Sequence, residues 1–178
     1  MKKSYYLALS FLILGFLAEK TIAQEALKPR PSPMYMSTMK HDDTYIKITY
    51  GRPHKKEREI FGGLVPYDEV WRTGANESTE ITSTGDFYLA GNLVEANTYS
   101  LFTIPRKDKW TVILNSALGQ WGAYDYDPDL DVLRFDVSVE ETEVTYEPFT
   151  IEFRQDNSNA YLEMIWDRTK ISIPVSFR

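Results

Sequence analysis

The sequence predicts an all-β domain of antiparallel sheets packed face to face. This is a β-sandwich of jelly-roll type, with a flattened barrel as the alternative closure. Two patterns predict it. Apolar residues recur at every second position in short runs, and Gly, Asn, Asp and Pro clusters separate those runs. In addition, no window of a dozen residues keeps a helical period.

The N-terminus reads as an address. Met1-Lys2-Lys3 precedes an apolar run from Tyr5 to Ala18, shorter than the roughly 20 residues that span a bilayer. Thr21 and Ala23 supply the small residues a signal peptidase reads. Residues 1–23 are therefore expected to be a signal peptide cut after Ala23; the length disfavours the rival, an uncleaved anchor. No Cys follows the run, so a lipid-anchored lipoprotein is excluded. The expectation is an exported chain, periplasmic or extracellular, without membrane insertion of the mature protein. Residues 24–41 read as a tether because Pro29, Pro31 and Pro33 favour extended chain. Within it, Met34, Met36 and Met39 suit an irregular first strand. Residues 42–178 read as one domain.

The strands follow in order. Ile46, Ile48 and Tyr50 alternate with Tyr45, Lys47 and Thr49. From Trp110 to Leu114 both alternating sets are largely apolar, which marks a central strand. Single-faced strands are expected at 133–139, 149–154, 161–166 and 170–177. Pro174 lacks an N–H, so the last is expected at an edge. Turns are expected at Gly85-Asp86, Gly91-Asn92, Glu95-Ala96-Asn97, 105–108 and 156–159. Two long connections, Gly51–Asn76 and Ser116–Leu130, break the pattern and carry Trp71, Trp121, Tyr67, Tyr124 and Tyr126. Loops of that length are often functional.

Composition narrows the chemistry. The 178 residues include no Cys, two His, 20 Lys+Arg and 26 Asp+Glu, for a net charge of −6. Disulfides, thiolate metal sites and a Cys nucleophile are excluded. The acidic balance argues against nucleic acid as a partner. No cofactor is implied: there is no phosphate-binding glycine loop, no G-x-S-x-G, and His41 and His54 are not at metal-ligand spacing. The segment Asp125 to Asp131 echoes a calcium loop, but Leu130 stands where a Gly is needed and Asp136 replaces the bidentate Glu. A solvated acidic turn is the better reading. The charged run His54 to Glu59 reads as a solvated loop.

The long loops also carry a resemblance. Tyr50-Gly51-Arg52-Pro53, Ile60-Phe61-Gly62-Gly63-Leu64-Val65-Pro66-Tyr67 and Val70-Trp71-Arg72-Thr73-Gly74-Ala75-Asn76-Glu77 occur in order. Tyr99 to Pro105, Trp110 to Ile113 and Trp121 to Tyr126 follow. Over about Pro33 to Phe153 the chain resembles the exported bacterial family of domain of unknown function 2911. That resemblance implies export and a β-rich domain; it implies no reaction and brings no catalytic residues.

The residues themselves suggest a recognition surface at Arg52, Trp71, Arg72, Asn76, Glu77, Trp121 and Tyr124. Trp and Tyr offer flat apolar platforms, and the arginines offer planar forks for carboxylate or phosphate. The competing reading buries Trp71 in the core and uses the arginines to pin the loop. The expected function is a binding module for a saccharide or small acidic ligand of the envelope. One alternative is a glycan hydrolase using Glu77 or Glu80 with Asp125. Another is a structural or protein-docking module acting through an edge strand such as the one ending at Phe177.

Overall fold

A computed structural model describes residues 28–156 and 159–177. The expected signal peptide and the first residues of the tether lie outside them. The described chain is all-β and antiparallel, as expected. Its strands are β1 (Met34–His41), β2 (Thr44–Gly51), β3 (Thr79–Ser83), β4 (Phe87–Leu89), β5 (Asn92–Val94), β6 (Thr98–Pro105), β7 (Lys109–Asn115), β8 (Asp131–Asp156) and β9 (Asn159–Ser176). One 3-10 turn, Pro128–Leu130, leads into β8. No helix among the described residues is long and apolar enough to cross a membrane.

The strands form one nine-stranded sheet in the order β1-β2-β3-β6-β7-β8-β9-β4-β5. The sheet is not closed into a barrel, and β1 and β5 are its edges. Two expected pairs of strands are each one long strand. The runs at 133–139 and 149–154 both belong to β8, and those at 161–166 and 170–177 belong to β9. β8 pairs with β7 up to Ser138 and with β9 from Val139 onward. Register shifts at Glu141, Tyr146 and Thr150 bend it without ending it. The sequence shows the broken alternation there but not that pairing resumes with the same neighbour.

That change of partner folds the sheet over a single core. Ile46, Ile48 and Tyr50 of β2, Ile81 of β3 and Trp110, Val112 and Leu114 of β7 are buried with Phe149 and Ile151 of β8 and Leu162, Met164 and Trp166 of β9. Tyr50 spans the fold. Its hydroxyl accepts from Ile151 N–H at 2.9 Å, and its ring meets Phe149 edge-on at 5.7 Å. Burial pushes its phenol above the usual tyrosine range. β7 is buried on both faces, as a central strand should be.

The first strand expected around Met34, Met36 and Met39 is present: Met34–His41 is an edge strand paired with β2 along its whole length. One placement differs from the sequence reading. The strand carrying Pro174 is not at an edge, because β9 lies between β8 and β4. Pro174 is tolerated because β4 stops at Leu89; beyond it Ala90 N–H donates to the Pro174 carbonyl at 2.8 Å and no donor is required in return. The strand ending at Phe177 is therefore already paired and offers less free edge than expected.

Gly51 ends β2 against the loop that follows. A methyl there would lie 1.9 Å from the Ala75 carbonyl oxygen. Gly51→Ala should therefore destabilise the domain by about 3 kcal/mol or more. Gly91→Ala, where nothing lies within 4 Å and only the positive φ opposes a side chain, should cost about 1–2 kcal/mol. Urea denaturation of the two variants checks this, and equal losses would mean the Gly51 contact does not fix the loop.

Candidate functional site

The two long loops meet. The β2–β3 connection lies along β6, where Trp71 N–H donates to the Thr103 carbonyl at 2.7 Å and Thr103 N–H returns a bond to Trp71 at 2.9 Å. The chain then turns sharply, with Thr73 and Asn76 at positive φ. Thr79 N–H closes the turn on the Arg72 carbonyl at 3.1 Å, and Ala75 N–H donates to the Gly51 carbonyl at 3.1 Å. Buried Thr73 shares a hydroxyl bond of 3.0 Å with Thr103. The β7–β8 connection docks onto this turn through Ser78 N–H to the Gln120 carbonyl (2.9 Å) and Gly122 N–H to the Asn76 carbonyl (3.0 Å). Glu77 and Trp121 form an antiparallel bridge between the two loops.

The far part of the second loop is anchored separately. Tyr126 donates to Asp131 at 2.7 Å, and burial together with that carboxylate pushes its phenol up to about 12. Asp127 caps the 3-10 turn by accepting from Asp129 N–H. Asp131 also accepts from the Asn115 amide at 2.9 Å, which ties this loop to β7, and among the described residues no three metal-ligating side chains converge.

A cleft of about 500 Å³ opens beside the junction. Leu64, Val65, Pro66, Val70 and Pro53 give it apolar walls; Trp71 and Trp166 form its aromatic lining from below. Ala123 and Tyr124 border it from the second loop, and Ser32 from the segment before β1. Its charged lining is Arg58, Arg72 and Glu69.

The predicted residues divide between cleft, core and scaffold. Trp71 is only 9% exposed. It stacks on Trp166 at 6.0 Å and 16° and touches Trp110, Phe149 and Phe61. Its indole N–H donates to the Gly74 carbonyl at 3.1 Å. It is therefore a core residue whose edge reaches the cleft. Trp121 is 56% exposed and does not line the cleft, so the two tryptophans share no concavity. Tyr124 is 81% exposed and does line it. Arg52 is spent on the scaffold: it donates to the Phe149 carbonyl and the Thr150 hydroxyl, and its guanidinium covers the Tyr35 ring at 4.4 Å. Asn76 donates to the Ser32 carbonyl at 3.0 Å. Glu77 accepts two bonds from Arg30 at 2.7 and 2.9 Å, and this holds its carboxyl below the usual range. Arg72 lines the cleft.

The carboxylates proposed for hydrolysis lie elsewhere. Glu77 and Glu80 line a smaller cavity of about 140 Å³, where Glu80 accepts from Gly119 N–H at 3.0 Å. Sequence reasoning missed Ser32, Leu64 and Trp166, and it set Arg58 aside within a solvated loop. Arg58 curls back to donate to the carbonyls of Lys55 and His54, which keeps it at the cleft rim. Trp166 carried only an alternation signal, because a strand residue gives no hint of which loop will cover it.

A family model described as a protein of unknown function, DUF2911, matches residues 32–175. The match covers most of the chain, and the protein belongs to that family. Comparison with curated proteins and with solved structures finds no match.

Two outcomes follow for this site. Trp71→Ala should cost about 3–5 kcal/mol in chemical denaturation, while Trp121→Ala should stay within about 0.5 kcal/mol. A double variant would therefore report on folding before it reports on binding. The Arg30–Glu77 pair is exposed, so its contribution is about 0.5 kcal/mol at most. Because the carboxyl is lowered in the folded state, that contribution is present above the unfolded value of 4.5 and fades as pH falls through the folded value. The stability gap between wild type and Glu77→Gln should be present at pH 7 and close in acid. A gap that persists unchanged at pH 2 would assign the loss to another cause.

Proposed function

We propose that this protein is an exported binding module for a saccharide or small acidic ligand of the cell envelope, held in the cleft between the two long loops. One observation carries the reading. The cleft combines apolar walls, the edge of a mostly buried Trp71 and a Tyr124 ring left largely in solvent, beside Arg58, Arg72 and Glu69. Ligand sites of several hundred Å³ commonly have that mixture. The loops that border it are joined by backbone hydrogen bonds, so little ordering is required on binding. The basic, apolar and small-residue pattern of residues 1–23 supports export.

The hydrolase alternative draws less support from the same cleft, whose lining includes one carboxylate, Glu69, where the two-carboxylate mechanism needs a pair. Chain pairing at an edge is a separate matter from this cleft and gains nothing from it.

Thermal unfolding of the purified protein against neutral sugars, uronic acids and small carboxylates tests the reading. A ligand at about 100 times its dissociation constant stabilises by about 2.7 kcal/mol, enough to raise the midpoint by several degrees. Tyr124→Ala should keep the ligand-free midpoint and lose the rise. A silent panel, or a rise untouched by Tyr124→Ala, would move the function away from this cleft.

A further inference from the structure

We propose that Arg72 reads an anion in this cleft, and that the ligand carries a single carboxylate on an uncharged ring body, as a uronic acid does. The inference rests on the binding reading above and narrows its ligand class.

The argument begins with the other arginines. Eight fall among the described residues, and seven have partners. Arg30 holds Glu77, Arg106 holds Asp68, Arg134 holds Asp131, Arg154 holds Glu163 and Arg168 holds Glu141. Arg52 and Arg58 donate to backbone carbonyls. Arg72 alone among them makes no side-chain hydrogen bond or ion pair, and its Nε is buried without an acceptor. The enclosed Nε holds the guanidinium without a neutralising partner, so its charge is left for an acceptor that reaches the open Nη nitrogens from the cleft.

Its position suits that acceptor. A methyl built on Gly122 would lie 3.0 Å from Arg72 Nη1 and 2.9 Å from the Tyr124 ring edge. The glycine, at φ 73°, leaves room for guanidinium and ring to come close at the same spot, and both groups border the cleft. Only Nε of Arg72 is enclosed, so the Nη pair is the end open to a ligand, and it is a planar fork that matches the two oxygens of a carboxylate. Charge selects among anions. The lining holds Arg58 and Arg72 against Glu69, a local excess of one positive charge on a chain of net −6. One positive charge balances a carboxylate and leaves a phosphate dianion under-compensated. The exposed Tyr124 ring beside the fork offers a flat face to a sugar ring, with the Trp71 edge behind it.

The test uses glucuronate and galacturonate against glucose and galactose. Binding is measured by calorimetry, and the Arg72 Nε–H resonance is followed in the full-length protein. Both uronates should move that resonance saturably, and neither neutral sugar should. Arg72→Lys keeps the charge but loses the fork, so it should weaken uronate binding on the order of ten- to hundred-fold at an unchanged unfolding midpoint. Should the lysine variant fail to fold, the resonance of the unaltered protein still decides. Equal binding of acidic and neutral sugars with the Arg72 resonance unmoved overturns the carboxylate inference and leaves the cleft reading in place. Inorganic phosphate moving the resonance as tightly as uronate overturns the choice of anion. If neither the uronates nor the neutral sugars perturb any cleft resonance, the inference and the cleft reading fall together.

Discussion

Trp71 belongs to a loop by sequence position and to the core by environment, and much of the molecule depends on that double membership. Its backbone pairs with Thr103 of β6, and its ring stacks on Trp166 of β9 while meeting Trp110 of β7 and Phe149 of β8. One indole thus joins four consecutive strands of the sheet, β6 to β9, to a connection that would otherwise cross the surface unattached. Rings of this size bury on the order of 150–250 Å² each, so their mutual packing outweighs any single polar contact in the loop. The same ring edge borders the cleft. Stability and cleft shape are therefore set by one cluster, and neither can be changed there without the other.

Backbone packing supplies what side chains alone would not. The turn from Arg72 to Thr79 is closed on itself by hydrogen bonds and pressed against Gly51, and the second loop docks onto it through Gln120 and Gly122. Each of these contacts satisfies a main-chain group that an irregular segment would otherwise leave to water. The result is a rigid rim built from two loops and no regular element. Arg52, Asn76 and Glu77 hold that rim in place: their polar groups are bonded to Phe149, Ser32 and Arg30.

Much of the fold was legible because alternation reports burial directly. Ile46, Ile48 and Tyr50 pointed to one face, and the doubly apolar run at Trp110 pointed to a strand covered on both sides. Strand ends and partners were less legible. Glu141 to Thr150 interrupts the period, yet β8 continues through it because register shifts absorb the extra residues. Pro174 suggested an edge because its missing N–H is visible in sequence, whereas the early end of β4 that makes it harmless is not. At the site, the loops were found from their length and aromatics. The division of labour within them was not. Nothing local distinguishes Arg52, consumed by the Phe149 carbonyl and Thr150 hydroxyl of β8, from Arg72, whose side chain makes no hydrogen bond or ion pair. That difference depends on residues about a hundred positions away.

The segment before β1 sets how far the cleft can stand from whatever precedes it. Arg30 is clamped to Glu77, Ser32 to Asn76, and the Pro33 carbonyl to Arg52 N–H at 2.9 Å. The stretch with the composition of a spacer is thus largely part of the domain. Between Ala23 and Arg30 even a fully extended chain reaches at most about 25 Å. With the apolar segment retained, the cleft would be confined to a thin layer next to the bilayer, meeting only ligands that diffuse there. With the segment removed, the first anchored side chain, Arg30, is only the seventh residue from the new terminus, and Ser32 already borders the cleft.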